Sequence, residues 1–470
     1  MLTIPYPALE GAQSEVLVVD GKGWALRYGE PLRLAEPLPD QPVVRVAAAV
    51  YTEPLEQLGL EPGELTPRQA GRAWRRAEFT LEVVAGQAQR WQRADDPALT
   101  PFLARYAFRL GRGSSELHSC FISETRELYC TGQALGPLRR ASWVLLRVPG
   151  LDELAEVAGG ISHTCVLRRG RVLCFGRNDF GQLGQTSSTA VGSDTPVEVV
   201  GVQDAIELDA HAHRTCALER SGKVICWGTF FEEALGPIQP TAVAFDRPIE
   251  HIAVGTKEVC GLSSGDVYCQ STHGALAYPG ARCDGTSVVF EEVPQPLPLP
   301  PGLEHLRGQI REVTLGDAGG CLRADLGEVY CWGCNIDGEV GTGTTEPNLP
   351  LTRLPIPKAI SVQRGAHSGC AITEDRRAYC WGKNDEGQVG LGAASPVAPA
   401  PLRDANGEVI VGVQEVALYW DHGCIRLASE EIRCFGRSDC GQLGDGSAEQ
   451  TGCISNDPNR AQRFPLSLPL

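Results

Sequence analysis

Residues 163–184, HTCVLRRGRVLCFGRNDFGQLG, place one histidine, two cysteines and four glycines within 22 positions. Taken alone, the stretch offers the ingredients of a metal site, a redox pair or a phosphate loop. It does not stand alone. The same order of residues returns as HRTCALERSGKVICWG (213–228), CGLSSGDVYC (260–269) and CLRADLGEVYCWGCNIDGEVG (321–341). It returns again as HSGCAITEDRRAYCWGKNDEGQVG (367–390) and HGCIRLASEEIRCFGRSDCGQLG (422–444), with an earlier copy in HSCFISETRELYCTGQALG (118–136). The first cysteines of the seven copies, Cys120, Cys165, Cys216, Cys260, Cys321, Cys370 and Cys424, are spaced by 44 to 61 residues. A period of that length belongs to one supersecondary unit repeated in a propeller or solenoid.

Each copy reads as a hairpin. Alternating apolar residues before the Gly-rich turn form one strand, and those after it form its partner. The second cysteines are Cys130, Cys174, Cys226, Cys269, Cys331, Cys380 and Cys434. Two copies have eight residues between their cysteines and five have nine. A two-residue loop at Arg169-Gly170 sets Cys165 opposite Cys174. A three-residue loop at Arg220-Ser221-Gly222 sets Cys216 opposite Cys226, with glycine where a type I turn plus bulge prefers it. Spacing therefore varies with loop length while registry is kept. The cysteines fall at a non-hydrogen-bonded pair, where facing side chains approach most closely.

Downstream of each hairpin, NDFGQLG, NIDGEVG, NDEGQVG and SDCGQLG are turn chemistry followed by one apolar anchor. Pro-containing segments such as PVEVVG and PLTRLPIP suit an outer edge strand. A short strand such as LAEVAGG or VQEVAL then leads into the next copy. Four strands per copy make a propeller blade. This order, H-(S/T)-C-A-L, a hairpin, C-W-G-x-N and G-Q-L-G, resembles the RCC1-repeat family, and looks most like its cysteine-bearing bacterial form. The resemblance covers about 103–470 and implies an all-β, seven-bladed RCC1-like β-propeller. Copy four departs most, with Cys269-Gln270-Ser271 in place of C-W-G and GALAYPG in place of G-Q-L-G. Copy one lacks the tryptophan and the asparagine.

Residues 1–102 contain no cysteine and form a separate N-terminal extension or small domain, α/β or β-rich, with the propeller over 103–470. SEVLVVDGKGWALRYG (14–29) reads as a hairpin about Asp20-Gly21, and FTLEVVAGQAQRW (79–91) as a second one. LTPRQAGRAWRRA (65–77) predicts a helix, with Thr66 as N-cap and Pro67 in the first turn. Two eroded repeat copies are the other reading of this region.

Lys and Arg number 42 against 58 Asp and Glu, a net charge of −16. Such a surface repels polyanions, so nucleic acid is not an expected partner, and a basic protein partner is easier to accommodate. No run approaches 18 apolar residues, so no membrane span is expected. The N-terminus shows no basic region leading into an apolar stretch, which makes the cytoplasm the default address. The 18 cysteines pull toward an oxidising compartment instead.

Candidate sites divide into three groups. His118, His163, His213, His367 and His422 precede the first cysteine of their copies by two or three residues. Their equivalent places around a ring keep them from pooling into one zinc site, and each is expected to hydrogen-bond nearby backbone as a latch between strands. Fourteen cysteines form hairpin pairs; Cys440 and Cys453 flank one loop and can bond across it, and Cys283 and Cys334 can meet. Disulfides and reduced, packed cysteines both fit this pattern. The longest segment between copies runs from Leu276 to Gln309. It offers Tyr278, Arg282, Asp284, Phe290, Glu291 and Glu292 as a candidate binding loop, against the alternative of a Pro-rich outer strand.

No Walker, G-x-S-x-G or H-E-x-x-H sequence appears, so no catalytic residue, metal or cofactor is expected. The expected function is a non-enzymatic interaction module or scaffold, monomeric on its own, binding a protein through propeller loops. Members of the family the repeats resemble serve as small-GTPase exchange factors, inhibitors or scaffolds, and no motif here maps onto the exchange role. A propeller lyase or hydrolase is the alternative. It requires non-repeating His, Glu or Arg gathered at one mouth of the channel.

Overall fold

The computed structural model of the chain describes 13–19, 22–27, 45–51, 54–58, 61–65, 79–84 and 87–93 in the N-terminal part. It further describes 109–467 except 114–117, 124–125, 133–141, 149, 186–191, 230–238, 257, 272–282, 284–292, 318, 393–394, 396, 430, 438–439 and 444–461. The fold is an all-β propeller with an N-terminal sheet. Among the described residues, the α-helix is confined to the four residues Leu55–Leu58.

The N-terminal sheet is antiparallel and has six strands, in the order Gly63–Leu65, Lys22–Arg27, Ser14–Val19, Arg45–Tyr51, Phe79–Val84, Gln87–Arg93. Val19 faces Lys22 across the first hairpin; the expected turn residues, Asp20-Gly21, lie outside the described residues. Val84 faces Gln87 in the second hairpin. Leu65, the first residue of the predicted helix, lies in a strand. The rest of that helix, 66–77, lies outside the described residues.

From Arg109 onward, seven successive sheets follow among the described residues, each built on the same antiparallel order. In sheet 3 the strands run Ala205–His211, Arg214–Glu219, Val224–Trp227 and Thr241–Ala242 from inside to outside. Sheet 2 gains Arg112–Gly113 as a parallel fifth strand on its inner edge, beside Ala158–Gly159. This segment follows directly on Arg109–Leu110 of sheet 1, and so ties the first sheet to the second.

The hairpin registry is the one the cysteine spacing predicts. Cys130 faces Cys120, Cys165 faces Cys174, and Cys216 faces Cys226, and the same holds in the other four copies. Their Cα atoms are 4.0–4.1 Å apart, the spacing of a narrow cross-strand pair. The sulfurs lie at disulfide distance. Arg169 (φ 49°) and Gly170 (φ 77°) both take left-handed conformations, as a two-residue hairpin turn of this kind requires. In the longer loop Gly222 (φ 84°) carries that burden.

The turns and the tryptophans explain one another across sheet boundaries. Asn178 Oδ1 accepts from Leu183 N–H at 3.0 Å and Gln182 Oε1 accepts from Phe180 N–H at 2.8 Å, which closes the NDFGQLG turn. The buried Trp227 of the next sheet then donates its indole N–H to the Gln182 carbonyl at 2.9 Å. Trp381 does the same to Glu339. A Cβ on Gly341 would sit 2.7 Å from Trp381 Cδ1, so the last glycine of the motif makes room for the neighbouring indole. Trp332 Nε1 has no hydrogen-bond partner among the described residues. Its sheet follows copy four, whose GALAYPG turn departs from the pattern and lies outside the described residues.

Contacts run from sheet 7 back to sheet 1. Phe121 packs in one buried cluster with Tyr419, Ile432 and Leu443. Ser119 Oγ donates to the Gln442 carbonyl at 2.9 Å, and Thr131 Oγ1 to the Gly441 carbonyl at 2.7 Å.

Candidate functional site

The five histidines divide into two classes. His118, His163 and His422, two residues before their cysteines, are fully buried and join sheets rather than strands. His163 Nε2 shares a hydrogen bond of 2.7 Å with the Thr215 hydroxyl of sheet 3, and His118 Nε2 one of 2.8 Å with Thr164 of sheet 2. His422 Nε2 shares one of 2.8 Å with Ser119, across the junction of sheets 7 and 1. The expectation of bonds to nearby backbone within a sheet is corrected: each latch takes the hydroxyl just before the next copy's first cysteine. Burial holds the imidazoles of all three down at a pKa of about 3, so they are neutral at pH 7. His213 and His367, three residues before their cysteines, lie instead in the turns at the channel mouth.

Carboxylates on the innermost strands form a second set of ties. Leu208 N–H donates to Glu156 at 2.7 Å, Val362 N–H to Glu312 at 3.2 Å, and Leu110 N–H to Glu415 at 3.0 Å. Each joins an inner strand to the neighbouring sheet. Glu312 and Glu415 are themselves held by Arg323 and Arg426, in the facing strands of their own sheets. Deeper in, Glu207 pairs with Arg112 at 2.7 Å and with His251 Nδ1 at 2.5 Å. Arg112 and His251, with Asp209, His211, Gln363 and Arg364, line a central pocket of about 390 Å³ of empty space, open solvent included. Burial pushes Asp209 in its wall up to about 6.

The inner strands end in short turns that converge on this axis. Thr256 N–H donates to the Gly316 carbonyl at 3.3 Å, Asp317 N–H to Ala366 at 3.1 Å, and Ala366 N–H to Tyr419 at 3.4 Å, so the turns are stitched edge to edge. The first turn position is Gly160, Gly255, Gly316 and Gly365 in four sheets. A Cβ on Gly316 would meet the Gly365 carbonyl at 2.6 Å, and one on Gly365 the Tyr419 carbonyl at 2.5 Å. The close approach of the neighbouring turn's carbonyl therefore requires glycine at Gly316 and Gly365. Sheets 3 and 7 replace it with His211 and Tyr419.

The side chains these turns present differ from sheet to sheet. His211, Asp317, His367 and Trp420 gather with Arg364 and Glu258. His211 and His367 lie 6.3 and 5.8 Å from the Trp420 ring. Arg364 is 5% exposed and stands where the neighbouring sheets 5 and 7 have Leu315 and Leu418. Burial draws its guanidinium down to about 10 against the support of Glu339, Asp317 and Glu258. His211 is 2% exposed and its Nε2 has no hydrogen-bond partner among the described residues. Burial lowers its pKa to about 4.

None of these mouth residues was singled out from the sequence except His367. The signal lay in misfits to the repeat: Glu339 where other copies have glutamine, Arg364 at an apolar position, and Tyr419-Trp420 in place of a small turn. Of the candidate loop, Tyr278, Arg282, Asp284, Phe290, Glu291 and Glu292 lie outside the described residues. Its following part, Gln295–Pro296, is an outer strand paired with Tyr268 and Cys269, and Leu297 and Leu306 are buried in the core. Cys283 lies at disulfide distance from Cys334. Cys440 is buried in the turn that follows the hairpin of sheet 7, and its expected partner Cys453 lies outside the described residues.

Two profiles described as "Regulator of chromosome condensation (RCC1) repeat" match this chain, one at 155–182 and 358–388, the other at 169–218 and 327–372. The Regulator of chromosome condensation of Mus musculus is 30% identical over 132 residues, covering 26% of this chain and 31% of that protein. The Ultraviolet-B receptor UVR8 of Arabidopsis thaliana is 27% identical over 301 residues, 62% of this chain and 55% of that one. The crystal structure of Prp20p from Saccharomyces cerevisiae matches with a TM-score of 0.58 at 19% identity, covering 79% of this chain and 89% of that one. The sequence matches span 30–33% of the length of the three Regulator of chromosome condensation relatives. Its recurring cysteine hairpins, its C-W-G and G-Q-L-G motifs and these matches show a chain that carries RCC1 repeats.

Proposed function

We propose that this chain is a protein-interaction module: a ring of seven blades over 103–470, with 1–102 as a separate β-rich extension, binding a basic segment of a partner protein at the channel mouth. One observation carries the reading. The scaffold repeats, but the mouth does not, and on a rigid repeat framework the non-repeating surface is where recognition is built. Acidic Asp317, Asp337 and Glu339 lie about His367, whose ring is 5.8 Å from that of Trp420, and Asp421 follows Trp420 in the same turn. The net charge of −16 favours encounter with a basic partner. The Prp20p structure is described with its binding to Gsp1p and histones; that pairing of a propeller with protein partners supports the class of function, not the identity of the partner.

The test is a pull-down from the native host with the full chain and with a Trp420→Ala variant. The variant is expected to lose at least tenfold in partner capture, and the captured protein to elute with rising salt. Equal capture by both chains would place recognition elsewhere. Adding small GTPases loaded with fluorescent nucleotide to the same preparation tests the exchange role directly. The lyase or hydrolase reading draws on His211, Glu258 and Arg364, which form the gathered, non-repeating cluster that chemistry at a propeller mouth requires.

A further inference from the structure

The turn of sheet 5, NIDGEVG, differs from its equivalents at one chemically decisive place. The fifth residue is Gln182, Gln388 and Gln442 in sheets 2, 6 and 7, and its Oε1 accepts from a backbone N–H two residues back. Glu339 makes the same bond with Oε2, from Asp337 N–H at 2.8 Å. Its other oxygen stands where the glutamines carry an amide NH₂. The Glu339 side chain is 6% exposed, and this second oxygen faces His367 Nδ1 at 3.8 Å, beyond hydrogen-bond reach. Asp337 Oδ2 faces the same nitrogen at 3.5 Å. His367 Nδ1 is buried and has no hydrogen-bond partner among the described residues. The three ligand atoms lie within 4.8 Å of one another.

We propose that Asp337, Glu339 and His367 bind one divalent first-row transition-metal ion at the channel mouth. One imidazole nitrogen and two carboxylate oxygens are a ligand set such ions accept, and three protein ligands leave a position open for water. Bonds of about 2.0–2.1 Å at a tetrahedral ion separate ligand atoms by roughly 3.4 Å. The 3.5 and 3.8 Å separations from His367 lie a few tenths of an ångström outside that value, and the two carboxylate oxygens, within 4.8 Å of each other, close on the ion by side-chain rotation. Arg364 donates to the Glu339 backbone carbonyl and leaves its carboxylate to the ion. Trp420 stands edge-on to the His367 ring at 5.8 Å and fixes its orientation. At the equivalent junction of sheets 2 and 3, Phe180 packs on His213 at 4.6 Å, so an aromatic ring takes the place of the Asp337 carboxylate.

The experiment titrates Zn²⁺ into the full chain by calorimetry, without reductant and with accessible thiols alkylated, alongside Glu339→Gln and His367→Gln. Glu339→Gln installs the residue that three other sheets already use, so it preserves the fold. The wild type is expected to bind one equivalent and to gain melting temperature, and each variant to bind at least tenfold more weakly. Co²⁺ is expected to give a visible absorption spectrum of low coordination number that Glu339→Gln abolishes. If wild type and Glu339→Gln bind zinc alike, or neither binds, the three groups are an ion pair and no more, and the proposal falls. It stands or falls separately from the partner-binding reading, since the readout uses the metal alone.

Discussion

At the scale of single residues, the histidines show how one letter serves two ends. His163 and His367 precede their cysteines by two and three positions, and that one-residue difference sends the first into a sheet boundary and the second to the axis. The latch at His163 depends on the Thr215 hydroxyl, 2.7 Å away. Replacing Thr215 by valine keeps the shape and leaves a buried imidazole nitrogen unsatisfied, at a cost of about 1–3 kcal/mol. Urea denaturation of Thr215→Val is expected to show a lower midpoint at unchanged slope. A midpoint equal to wild type would mean the bond contributes nothing net. The sequence displayed the histidine and the hydroxyl residue of every latch but not their pairing, because the partners are 46 to 303 residues apart.

At the scale of elements, the hairpin was fully legible. Loop length and cysteine spacing together allow one registry, and the strands adopt it in all seven copies. Seven hairpin pairs, and Cys283 with Cys334, lie at disulfide distance. In oxidising conditions the expected result is that these sixteen cysteines resist alkylation until reductant is added, as read by intact mass. Reduction is then expected to lower the melting temperature, because each hairpin bridge restrains the unfolded chain by up to about 2–3 kcal/mol. Full alkylation without reductant would show that the pairs pack as thiols. The C-W-G and G-Q-L-G motifs were legible as motifs, yet their joint purpose was not. The indole of one copy caps the turn of the preceding copy, a contact no single copy contains.

At the scale of the whole molecule, burial sets the response to pH. His118, His163 and His422 are held at about 3 and His211 at about 4, against about 6.5 in the unfolded chain. The unfolded chain therefore takes up protons that the folded chain refuses as pH falls from about 6.5 toward 3. Their contribution to stability is complete above that window and is lost on acidification. Asp209, raised to about 6, works the other way, since its contribution is lost as pH rises from about 4 through 6. Smaller upward shifts at Glu156, Asp421, His251 and His367 have the same sign as Asp209. The four lowered histidines carry the larger displacements, so melting temperature is expected to drop between pH 6.5 and 4. A melting temperature that holds or rises over that range would show that the raised groups dominate.

The sequence by itself determined the repeat, the hairpin registry, the turn chemistry and the propeller class, because each rests on contacts within about 25 neighbouring residues. What only the tertiary structure decided is the company each copy keeps. Carboxylates such as Glu415 reach the next sheet's backbone, and Glu339 meets His367 from another copy. The mouth gathers Asp317, Arg364 and Trp420 because closing the ring brings the same turn of every copy to one axis. There a substitution that looks minor within its own copy becomes part of a shared site.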